Sequence, residues 1–279
     1  NTNIQQSTLP QKTLAQEHNI DEQKICKHAK RVVNTLTDKG YQAYLVGGCV
    51  RDLLLNITPK DFDIATNATP QQVKRLFRRS RIIGRRFQIV HVQFGRDIIE
   101  VTTFRSNDTE HTNLVQQAES GLLTRDNKFG SLVDDATRRD LTINAIAQAD
   151  DGSLIDPYGG QQDLQAKLIR HVSPAFSEDP LRVLRAARFA AHLHHLGFSI
   201  APETQALLIT LVRSSELNTL AKERIWQETC KALASQSPWV YFEVLEQCGA
   251  LDQLMSPLAE LLSRKPHALT GLQLLSQTD

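Results

Sequence analysis

Asp61 and Asp63 stand either side of Phe62 in "PKDFDIAT". On an alternating strand both carboxylates leave by one face and Phe62 by the other. Two carboxylates on one face can share divalent cations. Mg²⁺ takes carboxylate oxygens together with substrate phosphates, so this D-x-D is a minimal platform for metal-assisted phosphoryl or nucleotidyl transfer. A surface strand with two solvated aspartates has the same spelling. Glu100, between Ile99 and Val101 in "IIEVTTF", is either an edge-strand surface residue or a third acid over the pair. As a third acid it would orient a metal or deprotonate an attacking hydroxyl.

Upstream, "LVGGCVRDLLL" places Gly47 and Gly48 where backbone can approach a ligand. The helix that follows offers unpaired N–H groups, and Arg51 offers a fork for phosphate oxygens. A plain turn uses the same glycines. "RRDLTINAIA" sets Arg138, Arg139 and Asp140 at the start of an expected apolar helix, with Asn144 at i+4 from Asp140. Asp140 there either caps the helix N-terminus or supports a ribose or metal while Arg139 holds a triphosphate.

A fourth group is spread along "EDPLRVLRAARFAA", where Asp179, Arg182, Arg185 and Arg188 recur every three residues. Steps of three put neighbours in contact and fan the set over about half the helix circumference. A carboxylate beside a guanidinium presents an acceptor next to a donor. That pair matches the exocyclic amino group and ring nitrogen shared by adenine and cytosine, and mismatches guanine and uracil. Arg185 and Arg188 would then reach phosphate or sugar; a salt-bridged helix face is the other reading. His192, His194 and His195 lack acidic or cysteine company and read as a helix end. His91, between Val90 and Val92, reads as a hydrogen-bonded strand residue.

Positioning these groups requires a particular order of elements. Residues 1–20 read as a disordered lead-in. "DEQKICKHAKRVVNTLTDKG" is a helix with Ile25, Val32, Val33 and Leu36 inward and Gly40 at its end, and "YQAYLV" is a strand. "CVRDLLL" starts a short helix, "DFDIAT" is a strand, and "TPQQVKRLF" is a helix capped by Thr69 with Pro70 at its first position. "QIVHVQF" and "IIEVTTF" form a hairpin with Gly95 in the turn. Residues 106–134 read as a mobile loop. From Asp135 the pattern turns helical through "DPLRVLRAARFAAHLHHLG", "PETQALLITLVR", "AKERIWQETCKALAS" and "PWVYFEVLEQCGAL".

Composition bounds the function classes. The 279 residues exceed one ordinary domain, and 41% apolar with 23% charged residues at net charge +1 describes a globular protein, not a disordered or histone-like one. Bulk charge therefore does not point to nucleic acid, yet nine basic side chains gather between Lys74 and Arg105 against Asp97 and Glu100. That run is either a solvated face or a surface for polyphosphate or RNA backbone. Cys26, Cys49, Cys230 and Cys248 are too scattered for a disulfide framework or zinc site, which favours a reducing cytoplasm. No apolar run approaches the roughly twenty residues a bilayer requires. Lacking an initiator Met, the chain is expected to be trimmed.

"LVGGCVRDLLL", "PKDFDIATNATPQQVKRLF", "RRDLTIN" and "EDPLRVLRAARFAA" resemble, in order and spacing, the head and neck motifs of class II template-independent RNA nucleotidyltransferases. These are the bacterial poly(A) polymerases and tRNA CCA-adding enzymes, and the resemblance spans about 21–262. It implies an α+β fold: a polymerase-beta-like head with a mixed sheet and helices over 21–150, a helical neck over 151–215 and a partial helical body over 216–279. It implies Mg²⁺-dependent transfer of NMP from ATP or CTP to an RNA 3′-hydroxyl, with metals on Asp61 and Asp63. Gly48, Arg51, Arg139, Arg185 and Arg188 match positions that contact the nucleotide. Asp179 and Arg182 match the base readers, and Asp140 matches an acid catalytic in the poly(A) branch. Up to about residue 140, with "GRRF", the chain is similar to poly(A) polymerase; from about 141 to 262 it is similar to a CCA-adding enzyme, as a chimera or early-branching sequence would be. No H-D dipeptide marks the phosphohydrolase unit of some CCA-adding enzymes, and a truncated catalytic core is expected. The expected activity leans to poly(A) addition, with CCA addition to tRNA as the alternative and an inactive RNA-binding module as the reading from another class.

Overall fold

The computed structural model describes residues 11–84, 88–105, 130–214, 216–264 and 268–275. The chain divides into two compact units, the first comprising Asn1–Arg139 and Ile143–Gln161, the second Asp140–Thr142 and Gln162–Asp279.

In the first unit, strand β1 (Gln11–Thr13) precedes helix α1 (Lys27–Asp38), which buries Ala29, Val32, Val33 and Leu36 along one stripe. Gly40 at φ 80° closes it in the left-handed region. Strand β2 (Ala43–Val46), helix α2 (Gly48–Leu54), strand β3 (Asp63–Thr66) and helix α3 (Pro70–Leu76) follow. Thr69 and Gln72 cap α3 reciprocally ahead of Pro70. Strands β4 (Ser80–Ile83), β5 (Ile89–Phe94) and β6 (Asp97–Thr103) lead to helix α4 (Leu132–Thr137), capped by Ser131 and Asp134. Strands β7 (Ala147–Gln148) and β8 (Leu154–Asp156) complete one sheet, which among the described residues runs β1-β8-β7-β2-β3-β6-β5-β4. Only β3 and β6 in that order pair in parallel.

Register assigns every residue to a face. Leu45, Ile64, Val101, Val90 and Ile82 form one row, opposite one another across β2-β3-β6-β5-β4 on the face against which α1 and α3 pack. The adjacent row is Val46, Asp63, Glu100, His91 and Arg81, on the other face. Val46 there joins Ala65, Phe104 and Ala147 in a buried cluster under Tyr44, Leu132 and Ile155. One face is thus a helix-covered core. The opposite face changes from apolar to charged at Asp63.

After Asp140–Thr142, the second unit continues with most of helix α5 (Gly160–Ala166) and a two-residue strand, β9 (Leu168–Ile169), which pairs in parallel with β10 (Ser199–Ile200). Helix α6 (Leu181–Leu193) buries nine of its thirteen residues, five of them alanine or valine. Small side chains let α8 (Lys222–Leu233) and α9 (Pro238–Gln247) pack closely on it. Helix α7 (Pro202–Arg213) precedes that pair, and α10 (Ala250–Leu254), α11 (Ser256–Arg264) and α12 (Ala268–Leu275) follow it.

Three expectations need correction. The lead-in is structured from residue 11: β1 pairs with β8 through backbone hydrogen bonds, which require no apolar pattern. Residues 1–10 lie outside the described residues. "RRDLTINAIA" is not a helix but a turn, a single 3-10 turn at Thr142–Asn144 and strand β7. The helical pattern therefore resumes only after β8. Of the expected loop 106–134, residues 106–129 lie outside the described residues, and Leu132 already begins α4.

Candidate active site

Gly47 caps α2 at φ 79° and ψ −142°, a conformation that L side chains rarely adopt. A Cβ there would also sit 3.1 Å from Nη1 of Arg139 and 3.7 Å from Oδ2 of Asp63. The first glycine of the pair is thus required by both the turn and its neighbours. The Arg139 guanidinium is held beside it, donating from Nη2 to Asp135 Oδ2 at 3.0 Å and from Nη1 to the Asn144 carbonyl at 3.4 Å.

Asp63 opens β3, and its partner on β6 is Glu100. Burial first, then Glu100 and Asp61, push the Asp63 carboxyl up to about 6, against the pull of Arg139. Asp61 is exposed and lies ahead of the strand, so the paired-aspartate expectation holds for proximity and not for a shared strand. Phe62, buried at 6% exposure, turns inward between them. Glu100 in turn meets His91, its partner on β5, with Nε2 and Oε1 3.2 Å apart. That contact was readable in principle. The two-residue turn Gly95–Arg96 pairs Phe94 with Asp97, and counting three back and three forward pairs His91 with Glu100.

Arg51 is 5% exposed, and its Nε and Nη2 donate to Asp52 Oδ1 at 2.9 and 2.7 Å while Nη1 donates to Asn144 Oδ1 at 2.8 Å. Its fork ties α2 to the segment bearing Asn144. Gly48 lies against it, a Cβ there falling 3.4 Å from Nη2.

In the second unit, Asp140 is buried and accepts from Leu141 N at 2.9 Å and from Arg185 Nε and Nη2 at 2.8 and 2.6 Å. Burial works against the charge on Arg185, and Asp140, helped by Glu228 and Asp179, outweighs it, so the guanidinium holds its proton more tightly than usual. Asp140 caps no helix. Asp179 precedes α6, accepting at Oδ1 from Leu181 N and at Oδ2 from Arg224 Nη2, both at 3.0 Å. Arg182 donates to the Ala175 carbonyl at 2.6 Å and crosses the Phe176 ring at 5.9 Å. Arg188 donates to Glu228 at 2.6 Å. Arg185 and Arg188, expected on phosphate or sugar, are thus both engaged by carboxylates of their own unit. Asp135, Arg224 and Glu228 are partners that no sequence pattern singled out, and Asn144, noted for its spacing from Asp140, instead meets Arg51 and Arg139.

The structure therefore gathers Gly47, Asp63, Glu100 and Arg139 in the first unit, with Gly48 on Arg51 nearby, and Asp140 with Arg185 in the second. Among the described residues no group of three or more His, Cys, Asp and Glu forms a metal-binding array. Asp61 and Asp63 nonetheless fit a divalent ion: they are hard oxygen donors, and Asp63 carries repulsion that a cation would relieve.

Comparison with known proteins bears on both units. The model for the poly A polymerase head domain matches residues 43–170, and that for the probable RNA and SrmB- binding site of polymerase A matches 197–262. A multifunctional CCA protein of Aliivibrio salmonicida is 49% identical over 222 residues, 79% of this chain and 52% of the relative. Poly(A) polymerase I of Salmonella typhimurium is 42% identical over 257 residues, 89% of this chain and 53% of the relative. The chain spans about half the length of these curated relatives. Among solved structures, the Bacillus stearothermophilus CCA-adding enzyme in complex with CTP superposes with a TM-score of 0.67 at 34% identity, covering 80% of this chain and 52% of that one. A tRNA nucleotidyltransferase complexed with a primer tRNA and an incoming ATP analog gives 0.65 at 30% identity, covering 80% and 62%. With its head and RNA-binding regions both matched and its α+β fold shared with these enzymes, the chain belongs to the class II family of template-independent RNA nucleotidyltransferases.

Proposed function

We propose that the protein adds nucleotides from ATP, and on the alternative reading also CTP, to RNA 3′ ends without a template. The observation that carries this is the placement of Asp63 opposite Glu100 with Asp61 in the same field, beside the Gly47 turn and Arg139. Asp61 and Asp63 would hold Mg²⁺, which when bound supplies charge neutralisation at the triphosphate. Glu100 is placed to orient that pair or to take the proton from an attacking 3′-hydroxyl. Arg139, fixed by Asp135 and backed by Gly47, offers a cation to triphosphate oxygens. Arg51 keeps the Gly48 helix start in register with Asn144 and is a nucleotide contact in the family pattern. In the second unit, Asp179 and Arg182 present the acceptor and donor that suit adenine or cytosine. Asp140 fixes the direction of Arg185, and Glu228 that of Arg188; both arginines are assigned to the nucleotide.

Poly(A) addition is the first reading, because the branch-specific head stretch around "GRRF" is of that kind and the poly(A) polymerase likeness covers 89% of the chain. CCA addition to tRNA is the second, favoured by the 49% identity to a CCA protein. The four cysteines are unpaired, which suits the cytoplasm, and no helix of the described residues is long and apolar enough to cross a membrane. Incubation with Mg²⁺ and ATP or CTP, separately and together, on a tRNA ending before CCA and on an unstructured RNA separates the readings. Long A tails on either RNA support the first; arrest after C, C and A on tRNA alone selects the second. Undiminished incorporation by Asp61→Ala with Asp63→Ala removes the metal assignment, and an inactive RNA-binding module incorporates nothing on either RNA.

A further inference from the structure

A groove of about 650 Å³ opens on the helix-covered face of the first unit, at the end where the β5–β6 hairpin turns. Its volume falls in the range of ligand sites, about 300–1,000 Å³. Phe94 of β5 stacks on the His28 ring at 4.6 Å with 12° between planes, and the Arg31 guanidinium lies 5.7 Å from the centre of the same Phe94 ring. Both partners are on α1, so one aromatic ring fixes a cation and an imidazole on one wall. Arg78 and Arg79 supply another wall from the segment entering β4, which is anchored by the Gln93 amide donating to the Arg79 carbonyl at 2.8 Å. Asp97 touches His28 at 3.5 Å, but no carboxylate lines the groove, and among the described residues none pairs with Arg31, Arg78 or Arg79.

Three exposed guanidinium groups on an aromatic and apolar floor form a surface for a polyanion with flexible phosphates. The sheet register places Phe94 on the face opposite Asp63 and Glu100, so this groove is separate from the carboxylates. We infer that it binds the backbone of a single-stranded stretch of RNA away from the reacting 3′ end, Arg31, Arg78 and Arg79 each taking a phosphate. This rests on RNA being the substrate, as proposed above, and it narrows the basic run to two of its arginines joined by one from α1.

The test measures binding of a labelled single-stranded oligoadenylate by fluorescence anisotropy over a salt series, without nucleotide or Mg²⁺. The triple variant Arg31→Gln/Arg78→Gln/Arg79→Gln should bind about tenfold or more weakly at low salt, with a log–log salt slope shallower by about 2. Arg→Lys at the same three positions should keep most of the slope, and a photocrosslinker at Thr35 should capture the RNA. Unchanged affinity and slope in the Gln variant overturn the inference, as does a Lys variant that falls as far as the Gln variant or a Thr35 probe that captures no RNA. Because binding is read without turnover, a protein that adds no nucleotides still tests the groove. Tail synthesis by a Gln variant with an unaltered salt slope removes the groove and leaves the proposed reaction standing.

Discussion

Asp63 is a charge held where it is unwelcome, since burial and two carboxylates lift its pKa to about 6. An acid whose folded pKa lies above its unfolded value binds more protons in the folded state. Stability from this group is therefore present at low pH and is lost as pH rises from about 4 through 6. Asp63→Asn removes the conflict. In metal-free buffer its unfolding midpoint should exceed the parent's at pH 8, the difference should vanish near pH 4, and nucleotide incorporation should fall by about 10³ or more. Equal pH profiles for parent and variant in calorimetry would contradict this assignment. Phe62 was legible as the inward residue from its apolar side chain, although Asp61 and Phe62 lie ahead of β3 and strand alternation does not place them. That Glu100 stands opposite Asp63 was not legible: it requires β3 and β6 to pair in parallel across nearly forty residues, and alternation within one strand says nothing of partners.

At the scale of elements, α6 was the most readable part of the chain, because its apolar residues recur at helical spacing and its length suits a buried helix. Its arginines were read for their spacing, and the carboxylates that hold them lie elsewhere, Asp140 ahead of it and Glu228 on α8. The same pairing explains why "RRDLTIN" is not a helix: Asp140 is taken by Arg185, and the β-branched Thr142 and Ile143 are poor competitors for helical backbone. Glu228 is 3% exposed; burial raises its pKa, and Arg188, helped by Arg185 and Lys231, more than reverses the effect, leaving it below the ordinary glutamate value. A depressed folded pKa gives stability that is present above the unfolded value and is lost as pH falls through the folded one. Arg188→Met should cost about 3 kcal/mol at neutral pH in urea denaturation by stranding Glu228. The deficit should shrink as pH falls, starting above the ordinary glutamate value because burial without Arg188 favours the protonated carboxyl. Adding Glu228→Gln should recover part of the loss, and a deficit independent of pH would exclude the pair as its source.

Over the whole molecule, net charge is +1 with a sequence pI near 7.9, so the RNA affinity proposed above would have to come from local concentration of arginine and not from bulk attraction. Raising pH from 7 to 9 takes the protein through its pI and leaves every guanidinium charged. The salt slope of RNA binding should be unchanged across that interval; a slope that collapses above the pI would mean that net charge drives binding. The two-part plan was legible from the change of periodicity along the chain. Its interruption was not, because Asp140–Thr142 belong to the second unit while Ile143–Gln161 return to the first, and no compositional break marks those crossings. The returning segment carries β7 and β8, and β8 is what β1 pairs with, Gln11 opposite Asp156. A ribosome delivers the chain from its N-terminus at about 5–20 residues per second. Residue 11 therefore waits roughly seven to thirty seconds for its partner, and during that time β2 has β3 on one side and no β7 on the other. The first unit is born with an open sheet edge, and chaperone protection during synthesis matters most in the interval before residue 156 emerges.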